Sequence, residues 1–237
     1  MQKLSVNINK IATLRNARGG NTPSVVDAAI NCQRFGADGI TIHPRQDQRH
    51  ITQADVYDIK KVIETEYNIE GYPSEHFIDT VIEINPDQVT LVPDGPDVIT
   101  SCAGWDTVES RDYLNKIIDQ LRSHNIRTSI FVSPDLKMIR GAKSCGADRI
   151  ELYTEDYARG YKKNRDQAIY PYVLAAAEAH KLEMGVNAGH DLNLDNLKFF
   201  AENIEFLDEV SIGHAIISDA IYLGLENVIR MYKGLLS

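Results

Sequence analysis

The sequence predicts an α/β protein folded as a (β/α)8 TIM barrel with additional helices. Strand-like and helix-like patterns alternate from one end to the other, and eight such units fit into 237 residues, a usual length for one barrel domain. A doubly wound open sheet is the alternative, but its glycine-rich phosphate motifs are missing from the first strand–helix turn. We therefore expect residues 1–237 to form a single (β/α)8 barrel domain.

The first half of the chain supplies four strand–helix units. Residues 4–8 alternate between apolar and polar side chains, and a helix with an apolar stripe follows from residues 22–24. The second strand covers residues 40–43 and is ended by Pro44, because proline cannot donate to a strand ladder. Thr52 is the predicted N-cap of a helix to about residue 66. Strands at residues 67–72 and 87–92 follow, with a helix beginning at Ser74 between them.

The second half repeats this pattern. Helices over residues 110–124 and from 134 to about 146 precede strands at 127–132 and 149–153. Residues 155–165 form a polar connection that the sequence leaves open as a lid, an extra helix or an interface element. A helix over 167–180, strands at 183–187 and 209–212, a helix over 194–201 and a closing helix from 215 to about 235 complete the barrel. Residues 36–43 and 146–153 resemble each other, which fits two similar half-barrels.

Composition and charge limit the kinds of function. The formal net charge of -9 argues against a general nucleic-acid or anionic-membrane binder, so any anion site has to be built locally. The chain has three cysteines, Cys32, Cys102 and Cys145. Their odd number and the lack of a metal-knuckle spacing favour free thiols in a reducing compartment. The chain shows no signal-peptide pattern and no apolar run of about 18–20 residues. We expect a cytoplasmic protein.

Polar and titratable side chains follow nearly every predicted strand. In a barrel these positions converge on one mouth, where ligands bind. The densest group is His43, Arg45, Arg49 and His50, a set equipped to hold an anion and to move protons near neutral pH. The other residues at strand ends are Asn7, Asn9, Lys10, Arg15, Arg18, Glu70, Thr100, Glu151, Asn187, His190, Gly213 and His214.

Several of these residues carry their own chemical argument. Glu70 lies in an apolar or small-residue segment, and partial burial would raise its pKa and suit it to acid–base work. His190 follows a pair of small residues that allow close approach of a ligand. Gly213 and His214 precede the last helix, where barrels often bind phosphate. The histidines do not have metal-site spacing and Lys10 is the lysine near the mouth, so we expect neither a metal nor a Schiff-base lysine.

Four stretches of the chain resemble the pyridoxine 5'-phosphate synthase family: residues 6–19, 36–51, 186–190 and 212–217. The resemblance extends from about residue 4 to residue 235 in the family's order. It implies a (β/α)8 barrel that assembles as a homo-octamer built from dimers. It also implies the condensation of 1-deoxy-D-xylulose 5-phosphate with 3-amino-2-oxopropyl phosphate to pyridoxine 5'-phosphate, inorganic phosphate and water. No metal or organic cofactor is implied.

The resemblance also implies roles for individual residues. The general bases would be His43 and Glu70, and the general acid would be His190. The aminoketone phosphate would be bound by Asn7, Arg18, Gly213 and His214. The deoxyxylulose phosphate would be bound by Asn9, Lys10, Arg45, His50 and Thr100.

The chain departs from the family pattern in two places. The family usually has Asp-His where Asn9 and Lys10 stand, so a carboxylate is lost and a permanent cation is gained. The residue after His190, which the resemblance also implies as a substrate-binding position, is usually glycine and is Asp191 here. A substrate contact through the backbone N–H of residue 191 would survive this change, but a carboxylate near a phosphate is unfavourable unless it points away.

Two other functions stay open at this point. Another sugar-phosphate aldolase or isomerase on a TIM barrel would need a strand lysine or a different acid–base pair. A non-catalytic barrel that binds or assembles would keep its biological role in His43→Ala and Glu70→Ala variants.

Overall fold

The computed structural model describes residues 2–93 and 103–236, in which eight parallel strands form a closed barrel. Each strand pairs with the next, and the first pairs with the last, so the sheet has no open edge. This confirms the predicted fold class. The strands are β1 (Lys3–Asn7), β2 (Gly39–Ile42), β3 (Glu66–Gly71), β4 (Gln88–Leu91), β5 (Arg127–Val132), β6 (Arg149–Leu152), β7 (Gly185–Gly189) and β8 (Leu207–Ile212).

Helices connect and flank the strands, and several begin where the sequence predicts. Side-chain oxygens of Ser24, Thr52, Ser74 and Asp135 accept the backbone N–H groups of the first helical turns. Thr52 forms a reciprocal capping box with Asp55. The helices are α1 (Asn9–Asn16), α2 (Val25–Arg34), α3 (Gln53–Lys60), α4 (Glu75–Ile84), α5 (Arg111–Ser123), α6 (Leu136–Ser144), α7 (Glu155–Lys181), α8 (Leu197–Asn203), α9 (His214–Leu223) and α10 (Leu225–Gly234).

Two helices differ from their predicted extents. The helix capped by Thr52 ends at Lys60, because β3 already begins at Glu66. The closing helix was predicted as continuous, which is wrong: Gly224, with a φ of 81°, separates α9 from α10. A left-handed backbone conformation at glycine is a common way to end a helix.

Additional helical segments occupy two places that the sequence did not assign. Helix α1 was not predicted, since it buries only Ala12 and Arg15 and so lacks an apolar stripe. The polar segment 155–165, for which the sequence allows a lid, an extra helix or an interface element, is mostly helical and forms the first part of α7. Asn164 breaks this helix with non-helical backbone angles, and its Oδ1 accepts the N–H of Gln167 at 3.1 Å to begin the second part.

The strands separate an apolar shell from a polar barrel interior. Apolar strand residues such as Val6, Ile40 and Ile69 are fully buried in one large cluster with the apolar faces of the helices. The residues between them carry polar groups that hydrogen-bond across neighbouring strands. Ser5 and Thr41 hydroxyls lie 2.7 Å apart, Asn68 Nδ2 donates to Thr41 Oγ1 at 3.3 Å, and Thr90 Oγ1 donates to Asn68 Oδ1 at 3.1 Å. The barrel interior below the mouth is therefore a packed polar core that is hydrogen-bonded internally.

Four aspartates close the base of the barrel in the same way. Three of them immediately precede an even-numbered strand, and the fourth is the second residue of β8. In each case Oδ2 accepts a backbone N–H near the start of the preceding strand at 2.8 Å. Two of them belong to the similar segments 36–43 and 146–153, so the sequence repeat corresponds to a repeated contact. The acceptor–donor pairs are Asp38 with Leu4, Asp87 with Tyr67, Asp148 with Thr128 and Asp208 with Val186.

The thiols of Cys32 and Cys145 are buried and free, while Cys102 lies outside the described residues. In the part of the chain that the structure describes, none of the helices is both long enough and apolar enough to cross a bilayer.

Candidate active site

A cavity of about 510 Å³ opens at the carboxyl ends of the strands. Barrel enzymes carry their active sites on this face, and the volume is typical of small-molecule sites. The cavity is lined by Asn7, Asn9, Lys10, His43, Arg45, His50, Glu70, Val92, Phe131, Glu151, His190, Asp191, Asn193, Ser211, Gly213, His214 and Ala215.

Of the residues that the resemblance assigns to catalysis or substrate binding, all but two line the cavity. Arg15, Arg49 and Asn187, which the sequence also places at strand ends, do not line it. Thr100 falls within residues 94–102, outside the described residues. Arg18 does not line the cavity: it lies on the exposed turn after α1, which carries the chain away from the end of β1. The substrate roles assigned to these two residues stay predictions, as do the roles assigned to the residues that line the cavity.

Arg15, which the sequence places near the mouth, is engaged in a buried ion pair. Its Nη1 and Nη2 donate to the two carboxylate oxygens of Asp55 at 2.6 and 2.8 Å. Nη2 also donates to the carbonyl of His50 at 3.2 Å, and Asn16 Nδ2 donates to the same carbonyl at 2.8 Å. Arg15 therefore fixes the loop after β2 instead of facing the cavity.

Two asparagines link the end of β1 to the titratable residues of β2 and β3. Asn7 Nδ2 donates to Glu70 Oε2 at 3.4 Å, and Asn7 Oδ1 accepts the backbone N–H of Asn9 at 3.1 Å. Asn9 Oδ1 accepts the backbone N–H of His43 at 2.9 Å. The change from aspartate to Asn9 thus keeps the oxygen acceptor that holds His43, and it leaves the amide nitrogen of Asn9 for other contacts.

His43 is kept neutral by its surroundings. Burial lowers the pKa of His43 to about 3, and the positive charge of Arg45 adds to this effect, followed by His50 and Arg49. The imidazole of His43 is therefore unprotonated throughout the neutral pH range, with one ring nitrogen available as an acceptor.

His50 stands beside His43, with ring centroids 6.1 Å apart. Burial lowers the pKa of His50 to about 4, with the cations Arg45, Arg49 and Lys10 acting in the same direction and Asp47 opposing them. Its Nδ1 lies 2.9 Å from the backbone N–H of Ile51, which can only donate. The ring proton of neutral His50 is therefore on Nε2, which makes that nitrogen a hydrogen-bond donor.

Two cavity carboxyls have raised pKa values. Burial raises the pKa of Glu70 to about 8, with a further contribution from the charge of Glu209. Burial also raises the pKa of Glu151 well above its usual range, Glu70 adds to this, and His190 opposes it. Glu151 is only 4% exposed, and within the described residues its Oε2 has no hydrogen-bond partner. The sequence places Glu151 at the mouth without indicating a role for it, although its apolar strand segment resembles that of Glu70.

His190 differs from the other two histidines because acidic groups surround it. Its Nδ1 lies 2.7 Å from Asp191 Oδ2. This hydrogen bond raises the pKa of His190, burial opposes the effect, and the charges of Asp191, Glu151 and Glu155 reinforce it. The cavity therefore combines a neutral imidazole at His43 with an imidazole at His190 that favours its protonated form.

Anion-binding groups reach the cavity from two sets of elements. Gly213 is the N-cap of α9, and the free N–H groups of this helix's first turn are suited to a phosphate. A Cβ at Gly213 would lie 3.0 Å from Asn7 Cβ and from the Asn7 carbonyl oxygen, so glycine keeps this corner open. Lys10, Arg45 and His50 form the second group, from α1 and the loop after β2.

Among residues 2–93 and 103–236, Lys10 is the one lysine that lines the cavity. It lies on α1 and not on a strand. Within the same residues, no three His, Cys, Asp or Glu side chains are grouped as metal ligands.

The barrel is shared with several solved phosphate-handling enzymes. The thiamine phosphate pyrophosphorylase from Pyrococcus furiosus superposes with a TM-score of 0.63 at 12% identity, covering 99% of this chain and 95% of that one. The phosphoribosylanthranilate isomerase from Thermotoga maritima superposes with a TM-score of 0.60 at 15% identity, covering 100% and 98%. At such identities these likenesses show the fold alone.

Sequence relatives are far more similar. The chain is 60% identical over 237 residues to the pyridoxine 5'-phosphate synthase of Porphyromonas gingivalis, and the match covers 100% of both chains. It is 60% identical over 236 residues to the enzyme of the same name from Bacteroides thetaiotaomicron, again covering 100% of both. The family model described as Pyridoxal phosphate biosynthesis protein PdxJ matches residues 4–237. This chain therefore belongs to the PdxJ family of pyridoxal phosphate biosynthesis proteins.

Proposed function

We propose that this chain is a transferase-class enzyme that condenses 1-deoxy-D-xylulose 5-phosphate with 3-amino-2-oxopropyl phosphate and closes a pyridine ring. The products are pyridoxine 5'-phosphate, inorganic phosphate and water. The observation that carries this proposal is one cavity with two anion-binding groups around His43, Glu70 and His190. The full-length similarity to pyridoxine 5'-phosphate synthases supports it.

The proposed reaction needs proton transfers and no lysine. The substrate amine attacks the substrate ketone, and the resulting imine forms with loss of water. His43 and Glu70 act as general bases. His43 is neutral, and the raised pKa of Glu70, about 8, makes its ionised form a stronger base although that form is the minor one at neutral pH. His190 acts as the general acid, donating a proton to departing oxygen. Neither a metal nor an organic cofactor has a part in this scheme.

The two phosphates bind at different groups in this proposal. The aminoketone phosphate is held by Asn7 at the end of β1 and by Gly213 and His214 at the N-terminus of α9. Arg18 is a further predicted ligand. The deoxyxylulose phosphate is held by Asn9, Lys10, Arg45 and His50, with Thr100 as a further predicted ligand. The two cations Lys10 and Arg45 on this side of the cavity, in a protein of net charge -9, support this assignment.

The experiment is a cofactor-free assay with chelator-treated protein, both substrates and parallel detection of pyridoxine 5'-phosphate and phosphate. We expect equal amounts of the two products from the wild-type chain, and a loss of about 100-fold or more for His43→Ala and Glu70→Gln. Circular dichroism of each variant checks that the fold is kept. Well-folded wild-type protein that releases no pyridoxine 5'-phosphate would contradict the proposal.

We further propose a homo-octamer built from dimers, located in the cytoplasm, with residues 1–237 folded as one domain. Exposed apolar side chains at the end of α9 support assembly: Ile221 is 70% exposed and Tyr222 87%. Light scattering should give eight times the mass of the chain, and cell fractionation should recover the protein with the cytosol. Two separate unfolding transitions in calorimetry would contradict the single domain.

A further inference from the structure

The contact between His190 and Asp191 has a defined polarity. Asp191 Oδ2 lies 2.7 Å from His190 Nδ1, a short distance for a nitrogen–oxygen hydrogen bond. An ionised carboxylate can only accept, so the hydrogen between them belongs to His190 Nδ1. Nε2 is then the nitrogen of His190 that is left to exchange a proton with a ligand in the cavity.

The backbone around this pair is held by several hydrogen bonds. His190 has a φ of 56°, in the left-handed region, which a non-glycine residue adopts at some cost. The N–H of Asp191 donates to the Gly189 carbonyl at 2.9 Å and also to Thr154 Oγ1 at 3.3 Å. Asn196 Nδ2 donates to the Asp191 carbonyl at 3.2 Å. Because the N–H of Asp191 is used inside the loop, its carboxylate is the group of this residue that is left to act on the site.

The other neighbours of His190 do not occupy Nδ1. The ring of Tyr153, after β6, packs edge-on with a centroid distance of 5.8 Å. Glu151 of β6 and Glu155 of α7 act on His190 through their charges. In the described part of the chain, Asp191 is the acidic residue that forms a direct hydrogen bond with the imidazole ring of His190.

We propose that Asp191 is a positioning residue: its carboxylate holds His190 through Nδ1, so that Nε2 carries the proton delivered to the substrate. The residue that departs from the family's usual glycine is thereby given a task in this chain. This inference rests on the proposed function, in which His190 is the general acid. Its effect is moderate, because both side chains of the pair are about one-third exposed.

The test compares kcat as a function of pH for the wild type, Asp191→Asn and Asp191→Glu. The asparagine removes the negative charge, so His190 loses its proton more easily and the alkaline limb of kcat moves to lower pH. We expect about a tenfold lower kcat for Asp191→Asn near pH 8, little loss near pH 6, and KM values within about twofold. Asp191→Glu should restore most of the alkaline activity. Asp195→Asn is the matched control, since it removes the same charge from an exposed position in the same loop.

A second measurement does not depend on turnover. The ¹³Cε1 signal of His190, identified by its loss in His190→Gln, is titrated by NMR in the wild type, Asp191→Asn and Asp195→Asn. A midpoint that moves to lower pH only in Asp191→Asn supports the proposal, and an unmoved midpoint overturns it. An unmoved alkaline limb with a changed KM also overturns it, because Asp191 would then contact substrate. If the wild type forms no pyridoxine 5'-phosphate, the proposed function fails while the titration still decides whether Asp191 controls His190.

Discussion

Asn9 Oδ1 accepts the backbone N–H of His43 at 2.9 Å, so the first residue of α1 fixes the residue that follows β2. The side chain of His43 projects from this anchored position into the cavity. The backbone N–H has left the strand ladder at this point and needs an acceptor. A residue assigned to substrate binding is thus also a support for the proposed base.

Replacement of Asn9 should separate these two tasks. Asn9→Ala leaves the His43 N–H without its acceptor, which costs about 1–3 kcal/mol and lets His43 shift, so we expect kcat to fall about tenfold or more. Asn9→Asp keeps an oxygen acceptor and should retain kcat within about threefold. The measurement is steady-state kinetics with both substrates. Equal losses of kcat in the two variants would mean that the amide nitrogen of Asn9, and not its oxygen, is the important group.

Glu70 should make stability depend on pH. Its pKa is near 4.5 when unfolded and about 8 in the fold, because burial and Glu209 disfavour its charge. The folded state therefore binds this proton more tightly, and the resulting stability is fully present below the unfolded pKa and is lost as pH rises through about 8. Glu70→Gln removes this loss.

Chemical denaturation at about pH 5, 7 and 9 tests this predicted contribution of Glu70 to the free energy of unfolding. We expect the free energy of unfolding of Glu70→Gln to rise relative to wild type from the lowest to the highest pH. Glu64→Gln, at an exposed position near the start of β3, is the control and should show a constant difference. A constant difference for Glu70→Gln as well would show that Glu70 ionises normally in the fold.

Arg45 should contribute to substrate affinity and to the state of His43. Loss of a charged hydrogen bond to phosphate costs about 1.5–3 kcal/mol, so Arg45→Ala should raise KM for the deoxyxylulose phosphate about tenfold or more. KM for the aminoketone phosphate should change much less. Since the charge of Arg45 lowers the pKa of His43, NMR titration of the variant should also find that pKa raised. An unchanged KM would exclude Arg45 from binding that substrate.

The ion pair of Arg15 and Asp55 should be a support of the barrel mouth. Both residues are less than one-tenth exposed, and Asp55 also closes the capping box of α3. Removing one partner of a buried pair typically costs about 3–5 kcal/mol, so we expect this loss for Arg15→Met and for Asp55→Asn. The double variant should lose less than the sum of the two, as measured in a denaturation cycle. Additive losses would show that the two side chains act independently.

The sequence predicts the elements with strong periodicity and explicit start signals. Thr52, Ser74 and Asp135 begin helices as their residue types indicate, and the eight strands follow from alternation with these helices. Helix α1 is not predicted because a short helix with only two buried residues has no apolar stripe to detect. The break at Gly224 is not predicted because apolar residues stand on both sides of it, at 220–223 and at Leu225, so the sequence pattern shows no interruption.

The membership of the site follows from barrel geometry, but its internal contacts do not follow from the sequence. Residues at strand ends meet because the fold brings all strand ends together, which is why His43 and Glu70 line one cavity. The Asn9–His43 and Arg15–Asp55 contacts depend on how α1 turns back over the loop after β2. That path is set by packing, and nothing in the local sequence specifies it.

The aspartates at the base add hydrogen bonds between strands at the end of the barrel opposite the cavity. Asp38, Asp87 and Asp148 each join three strands, because their side chains accept from the strand before and their backbone carbonyls accept from the strand after. Closure of the sheet is thereby secured at the end opposite the cavity. We expect any adjustment of the rim loops, in a reaction that binds two molecules and releases others, to leave these hydrogen bonds at the base unchanged.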